Sequence, residues 1–445
     1  MRILLIHQGF PGQFSHLIPA LVARRDELWV ISGPRPQQQI PAGVRYLPYR
    51  LERGNGRDTF PLASELETKM IRGEAVARVA AQLAEGAVTG SPWRPDLILG
   101  HPGWGEIMFL GDVWPDVPQL HYVEFFHGVP GTDNDIADPH ATPQTWQEKA
   151  RARIKNTHLL ANLNQMQAGL TPTRFQHSLL PAWAQARTSV IHDGIDVEWL
   201  CPDRAAQLAI APRPELPSGL VLRPGDPVIT FVNRTFEPYR GVHVFLEALA
   251  QLQARHPTAQ AVLVGADTPK VSYGARRSDG RGWLTVLREE LGDRLDWHRI
   301  HALGLVPHAQ LREVYRVSAA HVYLSYPFVL SWSLLEAMSC GALVVGSATA
   351  PVQELIQHGQ TGLLVPFGDA EALAGTLLAA LEQPATLAPV RQRARQHIQA
   401  HYELRACLQR QLQLVDAVAG GMARLSPSDV SNPWPSAKAS LQEWL

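Results

Sequence analysis

The feature that most constrains this chain is a pattern that runs, stops and starts again. "RILLIH" (Arg2 to His7) is a short apolar run that reads as a buried strand. The turn "QGFPGQF" follows, and then "SHLIPALVARR", whose apolar residues recur at helical spacing. "ELWVISG", "PDLILGH" (Pro95 to His101) and "QLHYVEFF" (Gln119 to Phe126) are further strands. The pattern restarts at "PVITFVN" (Pro227 to Asn233). It continues through the amphipathic "GVHVFLEALAQLQARH", the strand "AQAVLVG", the helix "HAQLREVYRVS" and the strand "AHVYLSY". "ALVVGS", "TGLLVPFGD" and the late helix "AEALAGTLLAALEQ" close it. Short apolar strands alternating with helices predict parallel sheets covered on both faces. Two such series predict two doubly wound, Rossmann-like domains.

The join falls near "IHDGIDVEWLCPDRAAQ" (Ile191 to Gln207), where polar and turn residues cluster. The expected domains are residues 1–195 and 196–420. A polar tail, 421–445, is expected to pack Trp434 and Trp444 back on the first half. A chain of 445 residues is long enough for this arrangement. With 45% hydrophobic and 18% charged residues, a large core is expected. A net charge of -1 gives no global excess of basic charge for nucleic acid. Cys201, Cys340 and Cys407 lie far apart, without metal-ligand spacing or a disulfide framework, which fits a reducing cytoplasm. "MRILLIHQGF" is too soon interrupted for a signal peptide, and no apolar run of about 18 residues predicts a spanning helix. Peripheral contact with the inner membrane face stays open.

Ligands of open α/β sheets bind beyond the carboxyl ends of the strands, so the loops there hold the candidates. Gly9 and Gly12 in "HQGFPGQF" either let the backbone approach a ligand or simply make a tight turn. The loop is not a complete G-x-G-x-x-G, which argues against a dinucleotide cofactor. His101 and Gly103 in "GHPGWGE" end a strand, His101 as a ligand contact or a structural residue. "EFFHGVPGTDNDIADPH" contains Glu124, His127, Asp133, Asp135 and Asp138. Its D-x-D could hold a cation, but a solvated acidic loop accounts for it more simply. Arg234 and Arg240 in "NRTFEPYRG" flank a turn before a helix, a plausible diphosphate clamp. In "YPFVLSWSLLEAMSCGALVVGS", Phe328, Val329, Leu330 and Ser331 would offer backbone N–H groups to a phosphate. Glu336 has two readings there. It could complete a capping box with Ser333, or its carboxylate could accept hydrogen bonds from ribose hydroxyls.

These segments together resemble the retaining glycosyltransferases of family 4, which have the GT-B fold. "SLLEAMSCGALVVGSATAPVQELIQHGQTGLLVPFGD" resembles the family's donor-site signature, "NRTFEPYRG" its phosphate-binding turn and "HDGID" its domain junction. "GHPGWGE" and "TPTRFQHSLLP" resemble a bacterial subgroup. The resemblance implies a nucleotide-sugar donor, with UDP favoured, held by the second domain and an acceptor held by the first. The acceptor would be a saccharide, a lipid-linked saccharide or another hydroxyl compound. Glu336 matches the ribose-binding second Glu of an E-x7-E motif. The first Glu falls at Phe328, a departure from the pattern. Arg234 and Arg240 would stabilise the departing diphosphate, with Arg240 one residue further along than expected, and His101 would lie near the reacting carbon. No metal or cofactor is implied beyond the donor, which discounts Asp133 and Asp135 as ligands. Three alternatives remain open. They are a nucleotide-sugar epimerase of the same fold, a degenerate partner of an active transferase, and, last, an NAD-dependent dehydrogenase.

Overall fold

A computed structural model describes residues 1–422 apart from 129, 142–144, 215 and 275. The expected docking of Trp434 and Trp444 lies outside the described residues. The first sheet contains β1 (Arg2–Ile6), β2 (Glu27–Ser32), β3 (Val44–Pro48), β4 (Leu97–Gly100), β5 (Gln119–Tyr122), β6 (Ala168–Thr171) and β7 (Thr188–Val190). Their order is β3-β2-β1-β4-β5-β6-β7, and every pairing is parallel. A small antiparallel pair follows, β8 (Leu208–Ile210) with β9 (Leu220–Leu222).

The second sheet contains β10 (Val228–Thr235), β11 (Gln260–Ala266), β12 (Ile300–Ala302), β13 (Ala320–Tyr323), β14 (Leu343–Ser347) and β15 (Leu363–Val365). It is also wholly parallel, in the order β12-β11-β10-β13-β14-β15. Each sheet therefore has one place where the winding reverses, between β1 and β4 and between β10 and β13. A crevice opens beyond the strand ends at such a reversal.

Both faces of each sheet are covered. Ile3 and Leu5 of β1 face one core, with Phe14 and Leu21, while Leu4 and Ile6 face another, with Val76 and Leu83. This is the two-sided burial that a continuous apolar strand requires. The second sheet does the same, with Phe231 and Leu263 on one face and Val232 and Val264 on the other. Its helices include α1 (Val242–Arg255), α2 (His308–Val317) and α3 (Trp332–Ser339). The last described helix, α4 (Leu404–Ala419), returns to the first half and places Leu414, Val415 and Val418 beside Ile3 and Leu99. By packing, α4 belongs with the first half, so the second half ends near Tyr402 rather than at 420. The outgoing and returning strands of chain run side by side, with Ile195 N–H on Tyr402 O at 2.7 Å and Leu404 N–H on Ile195 O at 2.9 Å. Among the described residues no helix is long and apolar enough to cross a membrane.

Candidate functional site

Beyond the ends of β1, β4 and β5, four polar side chains form one chain of contacts. His7 Nε2 donates to Gln13 Oε1 at 2.7 Å, and Gln13 Nε2 donates to Glu124 Oε1 at 2.6 Å. Glu124 Oε2 lies 3.5 Å from His101 Nε2, a distance that holds the charge close without a well-formed hydrogen bond. His101 Nδ1 accepts from Gly103 N–H at 3.0 Å, so its proton sits on Nε2 and faces Glu124. The His101 ring stacks on Trp104 with centroids 3.9 Å apart. Burial, and then the neighbouring His101, lower the pKa of His7 to about 4, so His7 is neutral near pH 7. Burial pulls the Glu124 carboxyl up, but contacts with His101 and Gln13 outweigh it and hold it below the usual range.

The glycines here answer to these rings. A Cβ on Gly12, at φ +52°, would stand 2.0 Å from His7 Cε1, and one on Gly103 would stand 2.7 Å from His101 Cε1. Gly12 and Gly103 therefore make room for histidines, whereas a Cβ on Gly9 would meet only an ordinary contact at 3.8 Å.

The second half supplies a different chemistry. Arg234, the second-last residue of β10, is exposed, with no hydrogen-bond or ion-pair partner among the described residues. Arg240 is 5% exposed and closes a short turn before α1. Its guanidinium donates to Ser325 Oγ at 2.7 Å, Val329 O at 3.0 Å and Tyr323 Oη at 3.2 Å, and lies 5.4 Å over the Tyr273 ring. All these partners are neutral. Glu237 turns away to Thr235 Oγ1 and to the N–H groups of Ser272 and Tyr273. Arg240 is thus a buried cation with no carboxylate in ion-pair contact among the described residues. Gly241, at φ +69°, makes the turn possible, since a Cβ there would strike Leu324 at 2.6 Å.

The loop after β13 corrects two expectations. The N–H of Ser331 is already donated to Tyr323 Oη at 2.8 Å, so it is not offered to a phosphate. Phe328 and Val329 are buried against Phe125, while Leu330 packs toward the second core. Ser333 does not cap α3. Ser331 does, accepting from Ser333 N–H, and Glu336 sits a full turn inside the helix. Its Oε1 takes His308 Nε2 at 2.8 Å and its Oε2 takes Tyr315 Oη at 3.2 Å, both from α2. The capping box is therefore excluded, and a buried carboxylate with spare lone pairs remains.

The acidic loop is not solvated as expected. It crosses to the second half, where Tyr239 Oη bonds Asp133 and His243 Nε2 meets Asp138 Oδ2 at 2.8 Å. Asp135 caps the N–H of Gly131 within the loop, at 2.9 Å. Phe125 joins Phe328 with centroids 4.5 Å apart. Two further links tie the halves. Trp332 Nε1 donates to Asp193 Oδ2 at 2.8 Å, and Glu354 accepts the N–H groups of Arg174 and Phe175, each at 2.8 Å. The two sets of strand-end loops therefore meet, bringing His101 and Glu124 to the same junction as Phe328 and Arg240. Sequence reasoning missed His7, Gln13, Asp193, His308 and Tyr315. Gln13, Asp193, His308 and Tyr315 find their partners at least 21 residues away along the chain, and only the E-F-F run beside a strand end hinted at Glu124.

A model of the glycosyl transferase family 4 group matches residues 24–200, and a model of glycosyl transferases group 1 matches residues 212–397. The chain belongs to the family 4 glycosyltransferases. Among curated relatives, the phosphatidyl-myo-inositol mannosyltransferase of Mycolicibacterium smegmatis is 29% identical over 208 residues, 46% of this chain and 48% of that one. The D-inositol 3-phosphate glycosyltransferase of Rhodococcus jostii is 30% identical over 304 residues, 67% of this chain and 60% of that one. The chain thus spans about half to three fifths of the length of these relatives. Among solved structures, sucrose-phosphate synthase from Thermosynechococcus elongatus matches with TM-score 0.68 and 22% identity over 94% of this chain and 99% of that one. Anabaena HepE in complex with UDP-glucose matches with TM-score 0.62 and 17% identity over 94% and 100%. At these identities the likeness shows the fold, which for this family 4 glycosyltransferase is GT-B.

Proposed function

We propose that this protein transfers a sugar from a nucleotide-sugar donor, a UDP-sugar in preference, to an acceptor hydroxyl with retention of anomeric configuration. The observation that carries the reading is Arg240, a buried guanidinium with only neutral partners, at the reversal point of the second sheet. A buried cation with no carboxylate in ion-pair contact is costly, and a diphosphate supplies a directly paired charge. Arg234, exposed near the end of β10, adds a second cation as negative charge builds on the leaving group. Glu336, a buried carboxylate with spare lone pairs, accepts hydrogen bonds from the ribose hydroxyls in this reading. The UDP preference draws on the UDP-glucose complex of HepE, and the inositol-linked relatives favour a polyol or saccharide acceptor.

In this reading the second half holds the donor and the first half the acceptor. His101 lies at the reacting end. Retention follows when the acceptor attacks the face that the diphosphate leaves and a phosphate oxygen takes the acceptor proton. That route needs no separate base, and two arginines supply the charge that a metal would otherwise supply. The test incubates the protein with UDP-, GDP- and ADP-sugars and with inositol phosphate or oligosaccharide acceptors. Product configuration is then read by proton NMR. An α product from an α donor is expected. An inverted product overturns the mechanism, and an epimerised donor without acceptor overturns the transfer.

A further inference from the structure

Glu124 has a geometry that the proposed function does not use. Its carboxylate is ionised, its side chain is 28% exposed, and it is aimed from two sides. Gln13 holds Oε1 at 2.6 Å and the Nε2–H of His101 faces Oε2 at 3.5 Å. Its own carbonyl is held by the side-chain amide of Gln176. A carboxylate has about four acceptor positions, so two hydrogen-bonding directions stay unfilled. His101, by contrast, is 3% exposed, and its one outward proton faces Glu124.

The next residue ties Glu124 to the second half, because the Phe125 ring packs 4.5 Å from Phe328. Phe328 in turn meets Tyr239 at 5.4 Å and Tyr273 at 4.8 Å, and the Tyr273 ring lies under the Arg240 guanidinium. The negative charge of Glu124, after burial, helps to push the Tyr273 hydroxyl above its ordinary pKa, as expected if the two face the same space. The side chain at 328 is apolar, so the second half offers no acceptor there.

We infer that Glu124 binds the transferred sugar of the donor, accepting hydrogen bonds from two of its neighbouring hydroxyls, and that His101 acts as its positioning residue. This rests on the nucleotide-sugar reading above and narrows it to a class of donor. A carboxylate accepts from hydroxyls but repels another anion, so the donor sugar is a neutral one and uronic acids are rejected.

The test is calorimetric titration of wild type and Glu124→Gln with UDP, UDP-glucose, UDP-galactose and UDP-glucuronate, and with GDP, GDP-mannose, ADP and ADP-glucose. Wild type is expected to bind at least one neutral sugar conjugate at least tenfold more tightly than the matching free diphosphate. Glu124→Gln is expected to lose that increment while keeping its affinity for the free diphosphate within about twofold, which also shows that the variant is folded. UDP-glucuronate should bind wild type more weakly than a neutral UDP-sugar does, and the gap should narrow in Glu124→Gln. A full sugar increment in Glu124→Gln, or equal affinities for conjugate and diphosphate in wild type, overturns the inference and leaves the nucleotide reading standing. Wild type that binds no nucleotide overturns both.

Discussion

The indole Nε1 of Trp332, the first residue of α3, donates to Oδ2 of Asp193 at 2.8 Å across the boundary between the two halves. Tyr122 Oη donates to the same oxygen at 3.0 Å, and Oδ1 is buried without a partner. Burial, only partly offset by these two bonds, raises the Asp193 carboxyl to about 7. The folded protein therefore keeps a proton that the unfolded chain releases near pH 4. The stability linked to that proton is complete below pH 4 and is lost as pH rises toward 7. Asp193→Asn cannot titrate. Relative to wild type it should gain on the order of 4 kcal/mol between pH 4 and pH 8, about 1.4 kcal/mol for each pH unit between the unfolded and folded values. Denaturant unfolding at several pH values measures this, and parallel profiles would contradict it.

Arg240 separates stability from binding. Arg240→Met removes a buried cation but leaves Val329 O without its donor. These effects oppose each other, and the unfolding free energy should change by less than about 2 kcal/mol. Nucleoside diphosphate affinity should fall at least tenfold, about 1.4 kcal/mol. Unchanged affinity would remove Arg240 from the donor site.

Glu336 can be tested through the ribose itself. If its carboxylate accepts ribose hydroxyls, wild type should prefer a ribonucleotide over its 2′-deoxy counterpart by about tenfold. Glu336→Gln should weaken that preference. An equal preference in both proteins would leave Glu336 as a structural partner of His308 and Tyr315.

Gly9 and Gly12 should respond differently to alanine. Gly12→Ala forces a left-handed backbone on a side chain and drives its Cβ into the His7 ring, so a loss of about 1–3 kcal/mol is expected. Gly9→Ala meets only an ordinary contact and should cost less than about 1 kcal/mol. Equal losses, measured by thermal unfolding, would contradict the close fit of His7 against Gly12.

The strands with continuous apolar runs were legible in the sequence. β1, β2, β10, β11 and β14 fall within a residue or two of the quoted runs because both their faces are buried. β3, β6 and β7 gave no such signal. "VRYLP" is half-exposed and ends in proline, and "AGLT" and "TSV" are short and weakly apolar. The strand expected to run to Phe126 stops at Tyr122, because Glu124 and Phe125 leave the sheet to join Gln13 and Phe328.

At the site, Arg240 and Glu336 could be placed from the strand-to-helix pattern, since each lies on a short local segment. The partners of Glu336 could not, because His308 and Tyr315 come from the preceding helix, on the other side of β13. Nor could the destination of the acidic loop be read. Its aspartates look solvated in sequence and find Tyr239 and His243 only once the halves meet. Contacts between halves leave no periodic trace in either half.

The central claim is that the second half binds a nucleotide diphosphate through Arg240. Thermal unfolding of wild type and Arg240→Met with UDP, GDP, ADP, TDP and CMP tests it most directly. A ligand at about 100 times its dissociation constant stabilises by roughly 2.7 kcal/mol. The account predicts a clear rise in wild-type midpoint with a nucleoside diphosphate, UDP first, and no comparable rise in Arg240→Met. A wild-type midpoint that moves with none of them would contradict it.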